Sequence, residues 1–303
     1  MVIKVNYYEN IKNELIENEI YKKAKDYSKN KSDLMHYYNV GKLLIEAQGG
    51  EARAHYGDGL IREYSKKLIE ELGKGYSTRT LKRMRKFYLY IEKGTTLSTL
   101  LNWYHYVELL KLTDINEINY YIDAINNNNY SVRDLRGRIL NEEYKRLDNE
   151  TKNKLINKED TIITDFVKNP IVIKNSLNKE IISEKYLKKL ILEDIESFMR
   201  ELGNGFCFIG SEYKIRIGNA YNYIDILLFN YKYNSFVVVE LKITDLKKEH
   251  IGQIEIYMNY VDKNIKSIYH NKTIGIIICK HDNKLILEYS SDPRIFSSQF
   301  ILV

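Results

Sequence analysis

Along the first half of the chain apolar positions recur every three to four residues, the spacing of a buried helical stripe. Residues 11–27 and 33–48 show it, and 57–72 continues it through Leu60, Ile61, Tyr64, Leu68 and Ile69. Gly73 stops that third segment, and Ser77, whose side chain can accept from helix-start amides, opens the next over 78–91. Helical spacing returns at 97–112 and 115–126, then at 131–147 after the polar break Asn126-Asn127-Asn128-Asn129. From 148 to 179 polarity rises, periodicity weakens, and Pro170 marks an extended step. The pattern then becomes mixed. A helix is predicted over 183–202, strands over 206–217, 223–229 and 236–242, a helix over 246–261, a strand over 273–279, and a short element ending Phe300-Ile301-Leu302-Val303. The expected fold class is α+β overall: an all-α domain over 1–150, a linker over 151–178, and an α/β domain over 179–303 in the order αβββαβ.

Two of these strands carry charge where apolar residues are expected. Asp225 interrupts Tyr223-Ile224-Asp225-Ile226-Leu227-Leu228-Phe229, and Glu240-Leu241-Lys242 ends the next run after a polar turn. Alternation puts Glu240 and Lys242 on one face of their strand and Leu241 on the other. Isolated ions in such strands cost several kcal/mol each unless they are paired or hold a metal. Carboxylates gathered in this way suit Mg²⁺, a hard cation that takes oxygen ligands and activates water for phosphodiester hydrolysis. Lys242 is then placed to stabilise charge building on the phosphate.

Asp225 followed by Glu240-x-Lys242 resembles the D…(D/E)-x-K signature of the PD-(D/E)XK nuclease superfamily, with Ile224 where that signature has proline. Gln253 and Tyr257, four apart in the following helix, resemble its Q-x-x-x-Y element. The similarity runs along most of the chain. Gln48-Gly49-Gly50-Glu51-Ala52-Arg53-Ala54-His55-Tyr56-Gly57, Gly75-Tyr76-Ser77-Thr78-Arg79-Thr80-Leu81 and Trp103-Tyr104-His105-Tyr106 resemble the amino-terminal domain of YhcG-type bacterial proteins. Gly203-Asn204-Gly205-Phe206-Cys207-Phe208-Ile209-Gly210 and Gly275-Ile276-Ile277-Ile278-Cys279-Lys280 resemble their carboxy-terminal nuclease domain.

The resemblance implies a restriction-endonuclease-like domain that hydrolyses phosphodiester bonds, foremost in DNA, using Mg²⁺ or, in its place, Mn²⁺. It implies Asp225, Glu240 and the Leu241 carbonyl as metal ligands, with Lys242 assisting the water and transition state. Gln253 and Tyr257 would orient the site or contact phosphate. Many superfamily members place a glutamate in the helix before the first strand, where Lys188 stands here. Glu193, on the next turn, is the candidate additional acid, weighed against a solvated carboxylate. The alternative function is a non-catalytic nucleic-acid-binding or assembly module on a nuclease-like scaffold.

With 303 residues, 44% hydrophobic and 29% charged, the chain has the make-up of a two-domain globular protein. It has no run of about 18 apolar residues and no signal-peptide core at its start, so a cytoplasmic protein without membrane contact is expected. Cys207 and Cys279 alone cannot frame disulfides, and six histidines without clustering argue against structural zinc; His250 reads as a surface histidine at a helix start. The net charge of +6 fits a polyanion partner. Its sharpest cluster is Arg79, Lys82, Arg83, Arg85 and Lys86, interleaved with Leu81, Met84 and Phe87 in a helix-turn-helix-like pair. This helix is expected to grip a phosphate backbone or, failing that, a protein partner, with Arg133, Arg136 and Arg138 extending the basic surface. Trp103 and Tyr106 read as core aromatics, and a homodimer is a further expectation, since cutting both strands of a duplex suits two-fold symmetry.

Overall fold

A computed structural model describes residues 6–23, 29–50, 58–98, 100–175, 183–289 and 292–303. The chain forms two compact units, Met1–Tyr144 and Lys145–Val303. The first is helical: α1 (Tyr7–Lys23), α2 (Lys29–Ala47), α3 (Asp58–Leu72), α4 (Thr78–Glu92), α5 (Trp103–Leu109), α6 (Ile115–Asn128) and α7 (Val132–Leu140). Positions 24–27 of the first expected helix, and 51–57 of the glycine-rich motif, lie outside the described residues.

Gly41 sets the crossing of α2 and α4. A Cβ there would lie 2.3 Å from the Met84 carbonyl oxygen, so only glycine permits the approach. The buried face of α4 is Leu81, Met84 and Phe87, and the Phe87 ring packs edge-on against Trp103 (5.5 Å) and Tyr106 (4.9 Å). Both aromatics therefore serve the core. The expected helix over 97–112 shrinks to α5 because local polar groups compete for its first turn. The Tyr106 hydroxyl accepts from the Ser98 amide (2.8 Å) and donates to the Thr96 carbonyl (3.1 Å), while the Asn102 side chain accepts from the Tyr104 and His105 amides. The helix expected to reach 147 stops at Leu140, where Glu142 takes a left-handed φ of 51°.

The second unit begins with α8 (Asn149–Asn157), a 3-10 turn (Ile163–Phe166) and β1 (Ile171–Ile173). The segment expected as a linker thus contributes, as far as 175, to the unit itself. Its apolar residues are too sparse to show a period, yet Ile163, Val167, Ile171 and Ile173 are buried in the main core. Polar ties fix it as well. Arg146 pairs with buried Glu201, whose Oε2 also accepts from the Val172 amide (2.9 Å), and buried Lys168 donates to the Arg200 carbonyl (2.8 Å).

Then come α9 (Glu184–Glu193), α10 (Ile195–Leu202), β2 (Phe206–Ile217), β3 (Ala220–Asn230), β4 (Ser235–Leu241), α11 (Lys248–Asn264), β5 (Ile274–Cys279), α12 (Lys284–Glu288) and β6 (Ile295–Leu302). The single helix expected over 183–202 divides at Asp194, which leaves helical geometry to cap α10 by accepting from the Ser197 amide (3.2 Å). One six-stranded sheet results, in the order β1-β6-β5-β4-β3-β2. The β2–β3–β4 meander is antiparallel, and β4, β5, β6 and β1 are mutually parallel. Valines and isoleucines alternate between two cores: Val237, Val239 and Leu241 pack with α9 and α10, Val238 and Ile277 with α11. The expected αβββαβ order is present, with β1 and β6 extending the sheet.

Candidate active site

The site forms where β3 and β4 part. Their pairing runs from Asn230↔Ser235 to Ile226↔Val239 and ends there, and the next residue, Asp225, fills the gap with its side chain. Its Oδ2 accepts from the Leu241 amide (3.0 Å), and its Oδ1 from the Lys188 ammonium of α9 (2.8 Å). Glu240 and Lys242 share a face as alternation requires, with Lys242 Nζ donating to Glu240 Oε1 (2.9 Å). Both are buried. The second oxygen, Glu240 Oε2, is sealed from solvent without a hydrogen-bond partner among the described residues.

Burial, then the charge of Asp225, push the Glu240 carboxyl up to about 7, against the pull of Lys242. Burial works against the Lys242 ammonium too, but its bond to Glu240 and the nearby acids outweigh this and raise its pKa. Lys188 behaves alike: burial opposes its charge, and Asp225 and Glu212 more than restore it. Glu212 and Asp225 both fall between the β2–β3 pairs Ser211↔Ile226 and Tyr213↔Ile224, and Glu212 adopts a left-handed φ of 48° in mid-strand, a strained geometry of the kind that collects at functional sites.

The structure thus brings together Asp225, Glu240 and Lys242 and adds residues the sequence reading passed over. Glu184, one helical turn before Lys188, places Oε2 3.7 Å from Lys242 Nζ and its charge acts on Glu240. Glu193 does not join them. It stays exposed and pairs with Lys189 at 3.8 Å, one turn back along α9. Gln253 donates to the Tyr257 hydroxyl (3.1 Å), and Tyr257 is buried in the α11 core. His250 begins the same face of α11. It is half-buried, not a surface residue, and burial, then Lys242, lower its pKa. Leu241 uses its amide on Asp225, and its side chain is buried. Alongside, Lys185, Lys188, Lys189 and Glu193 of α9 line, with Glu212, a groove of about 690 Å³.

The residues fit a divalent cation. Even with Lys242 on Oε1 and Lys188 on Asp225, Glu240 Oε2 is left buried without a partner among the described residues, and such oxygen donors suit a hard ion. Another group, Glu14, Glu17 and His36, lies in the first unit, where His36 Nδ1 (2.7 Å) and Asn39 Nδ2 (2.9 Å) both meet Glu14 Oε1 across α1 and α2.

In the first unit Arg79, Lys82, Arg83 and Lys86 form one stripe of α4 and, with Arg62 and Lys111, line a pocket of about 510 Å³ that has no carboxylate among its described lining residues. Arg85 falls off this i, i+3, i+4, i+7 stripe and donates instead to Gln48 Oε1 (3.1 Å). The expected extension along α7 is largely consumed by acids: Arg136 pairs with buried Glu108 (2.7 Å), and Arg138 with buried Glu143 (2.9 Å).

The family model for the YhcG PDDEXK nuclease domain matches residues 164–302, and that for the DUF1016 N-terminal domain matches 11–146. The chain belongs to the YhcG-type family. A relative named "Putative nuclease YhcG" from Escherichia coli (strain K12) is 27% identical, over 80% of this chain and 75% of its own. Two solved structures are similar over part of the chain. A repair endonuclease from Pyrococcus abyssi is 19% identical with a TM-score of 0.29, covering 40% of this chain and 48% of that one. An EndoMS–dsDNA complex is 21% identical with a TM-score of 0.28, covering 43% and 48%. The chain spans about half the length of these two structures. Among the described residues no helix is long and apolar enough to cross a membrane.

Proposed function

We propose that this YhcG-family protein is a nuclease that hydrolyses phosphodiester bonds in DNA with Mg²⁺, or Mn²⁺ in its place, and works in the cytoplasm. The observation that carries the reading is the sealed, unpartnered Glu240 Oε2 beside Asp225, with Lys242 on the same face. Asp225, Glu240 and the Leu241 carbonyl would hold the cation, and Glu184 rather than Glu193 is the acid placed to add to them. When bound, such an ion lowers the pKa of a water and offsets charge on the phosphate. Lys242, fixed by Glu240, is placed to steady the charge that develops on the phosphate oxygens. Gln253 orients the Tyr257 hydroxyl on the neighbouring helix face. The cationic pocket of the first unit would add sequence-independent grip on the backbone.

Duplex, forked and single-stranded oligonucleotides incubated with Mg²⁺, Mn²⁺ or chelator test this directly. Asp225→Ala should abolish cleavage, and Lys242→Ala should keep metal binding while turnover falls about 10²–10³-fold, the usual cost of losing one transition-state donor. Cleavage that persists in excess chelator, or in Asp225→Ala, would refute the reading. One observation favours a second reading, a binding module without catalysis: an ammonium, Lys188, already sits on Asp225. Calorimetric titration separates the two, since that module would take up no Mg²⁺.

A further inference from the structure

Beyond Asp225 the β2–β3 hairpin leaves the sheet. Pairing with β4 stops at Ile226, so residues 220–225 have only β2 as a partner and extend roughly 20 Å at strand rise. One face of this arm is spoken for, since Ile215 and Ile224 are buried and Tyr213 packs beside them in the α11 core. The opposite face carries the register pairs Lys214↔Tyr223 and Arg216↔Tyr221. By alternation Tyr223 and Tyr221 continue the face of Asp225, whose carboxylate reaches α9. All four are exposed, the two rings at 50% and 57%.

Their local contacts leave the charges uncompensated. Lys214 Nζ sits 3.8 Å from the centre of the Tyr221 ring, and Arg216 Nε donates to the Gly218 carbonyl (3.2 Å). Among the described residues neither meets a carboxylate. Two half-exposed aromatic rings flanked by two cations, one of which rests over the Tyr221 ring, lie in line with the site and beside the groove of α9, and match a strand whose phosphates pair with cations while its bases stack. A duplex offers backbone but hides the faces of its bases. We propose that this arm is a stacking platform for an unpaired nucleic-acid strand, so that the site acts beside single-stranded, flapped or forked segments; this rests on the nuclease reading above.

The test uses the full chain in chelator, with fluorescence anisotropy of labelled oligothymidylate, an abasic oligomer of equal length and a blunt duplex. Wild type should prefer oligothymidylate to the abasic strand by about tenfold or more, the gain expected from stacking. The Tyr221→Ala, Tyr223→Ala double variant should lose that preference while keeping its duplex affinity, and the Phe double variant should retain it, since the rings remain. No preference for bases in wild type, an Ala variant that binds as wild type does, or equal loss on the duplex would overturn the platform. So would dissociation of a wild-type dimer by the Ala pair, which would make this face a contact between copies. No cleavage enters these readings, so failure of the nuclease assay and failure of the platform are told apart.

Discussion

Glu240 is the residue on which metal, pH and stability meet. Its carboxyl is held protonated up to about 7 in the folded chain, while its ordinary value is 4.5. Below 4.5 both states are protonated and the folded-state advantage is fully present. Between 4.5 and about 7 the folded protein keeps a proton that the unfolded chain has released, so metal-free stability should fall as pH rises through that window. Glu240→Gln should flatten this part of the profile, as read from urea midpoints in chelator. An unchanged slope would place the titration elsewhere. Mg²⁺, which needs the ionised form, should bind progressively more weakly as pH drops below about 7. Lys188 belongs to the same balance. Lys188→Met removes the cation from Asp225 and should destabilise the metal-free protein, by less than the ~3–5 kcal/mol of breaking a fully buried pair because this one is part-buried. Saturating Mg²⁺ should recover part of that loss in a thermal melt. A melt indifferent to Mg²⁺ would show that the ion does not replace the ammonium's charge.

What the sequence revealed depended on how long each pattern ran. The three strands around the site were readable because β-branched runs make buried strands and alternation fixes which charges share a face; Glu240 and Lys242 follow from it directly. The helical contribution was not readable in the same way. Glu184 looks like any charged helix residue and Lys188 stands out only as the replacement for the superfamily's glutamate, so the approach of α9 to the end of β4 is what gives them their place. The α4 stripe lay between these cases. Helical arithmetic separates Arg85 from the other four, and the structure adds the pocket they line. Replacing Arg79, Lys82, Arg83 and Lys86 by alanine should weaken nucleic-acid binding and reduce the slope of log affinity against log salt by about 0.9 per lost phosphate contact. Arg85→Ala should leave that slope unchanged. Filter binding across a salt series checks both, and an unaltered slope in the fourfold variant would point to a protein partner for this helix.

Where the chain divides matters for any attempt to take it apart. Weak periodicity and Pro170 suggested a linker over 151–178, because short elements with one or two apolar positions leave no repeating signal. The fold instead begins its second unit at Lys145 and uses β1 as the edge of the sheet, paired with β6 at Ile171↔Phe300 to Ile173↔Leu302. A fragment starting at 179 would lose Ile163, Val167, Ile171 and Ile173 from the core. At roughly 1.5–3 kcal/mol for each buried side chain, those four contribute on the order of 6–12 kcal/mol, comparable to the whole stability of an ordinary domain. Glu201 would also be left buried without Arg146 or the Val172 amide. Residues 145–303 expressed alone should therefore melt in one cooperative transition by circular dichroism, and residues 179–303 should show none. A cooperative melt of the shorter fragment at the same temperature would mean that the segment before it is dispensable, contrary to its place in the core.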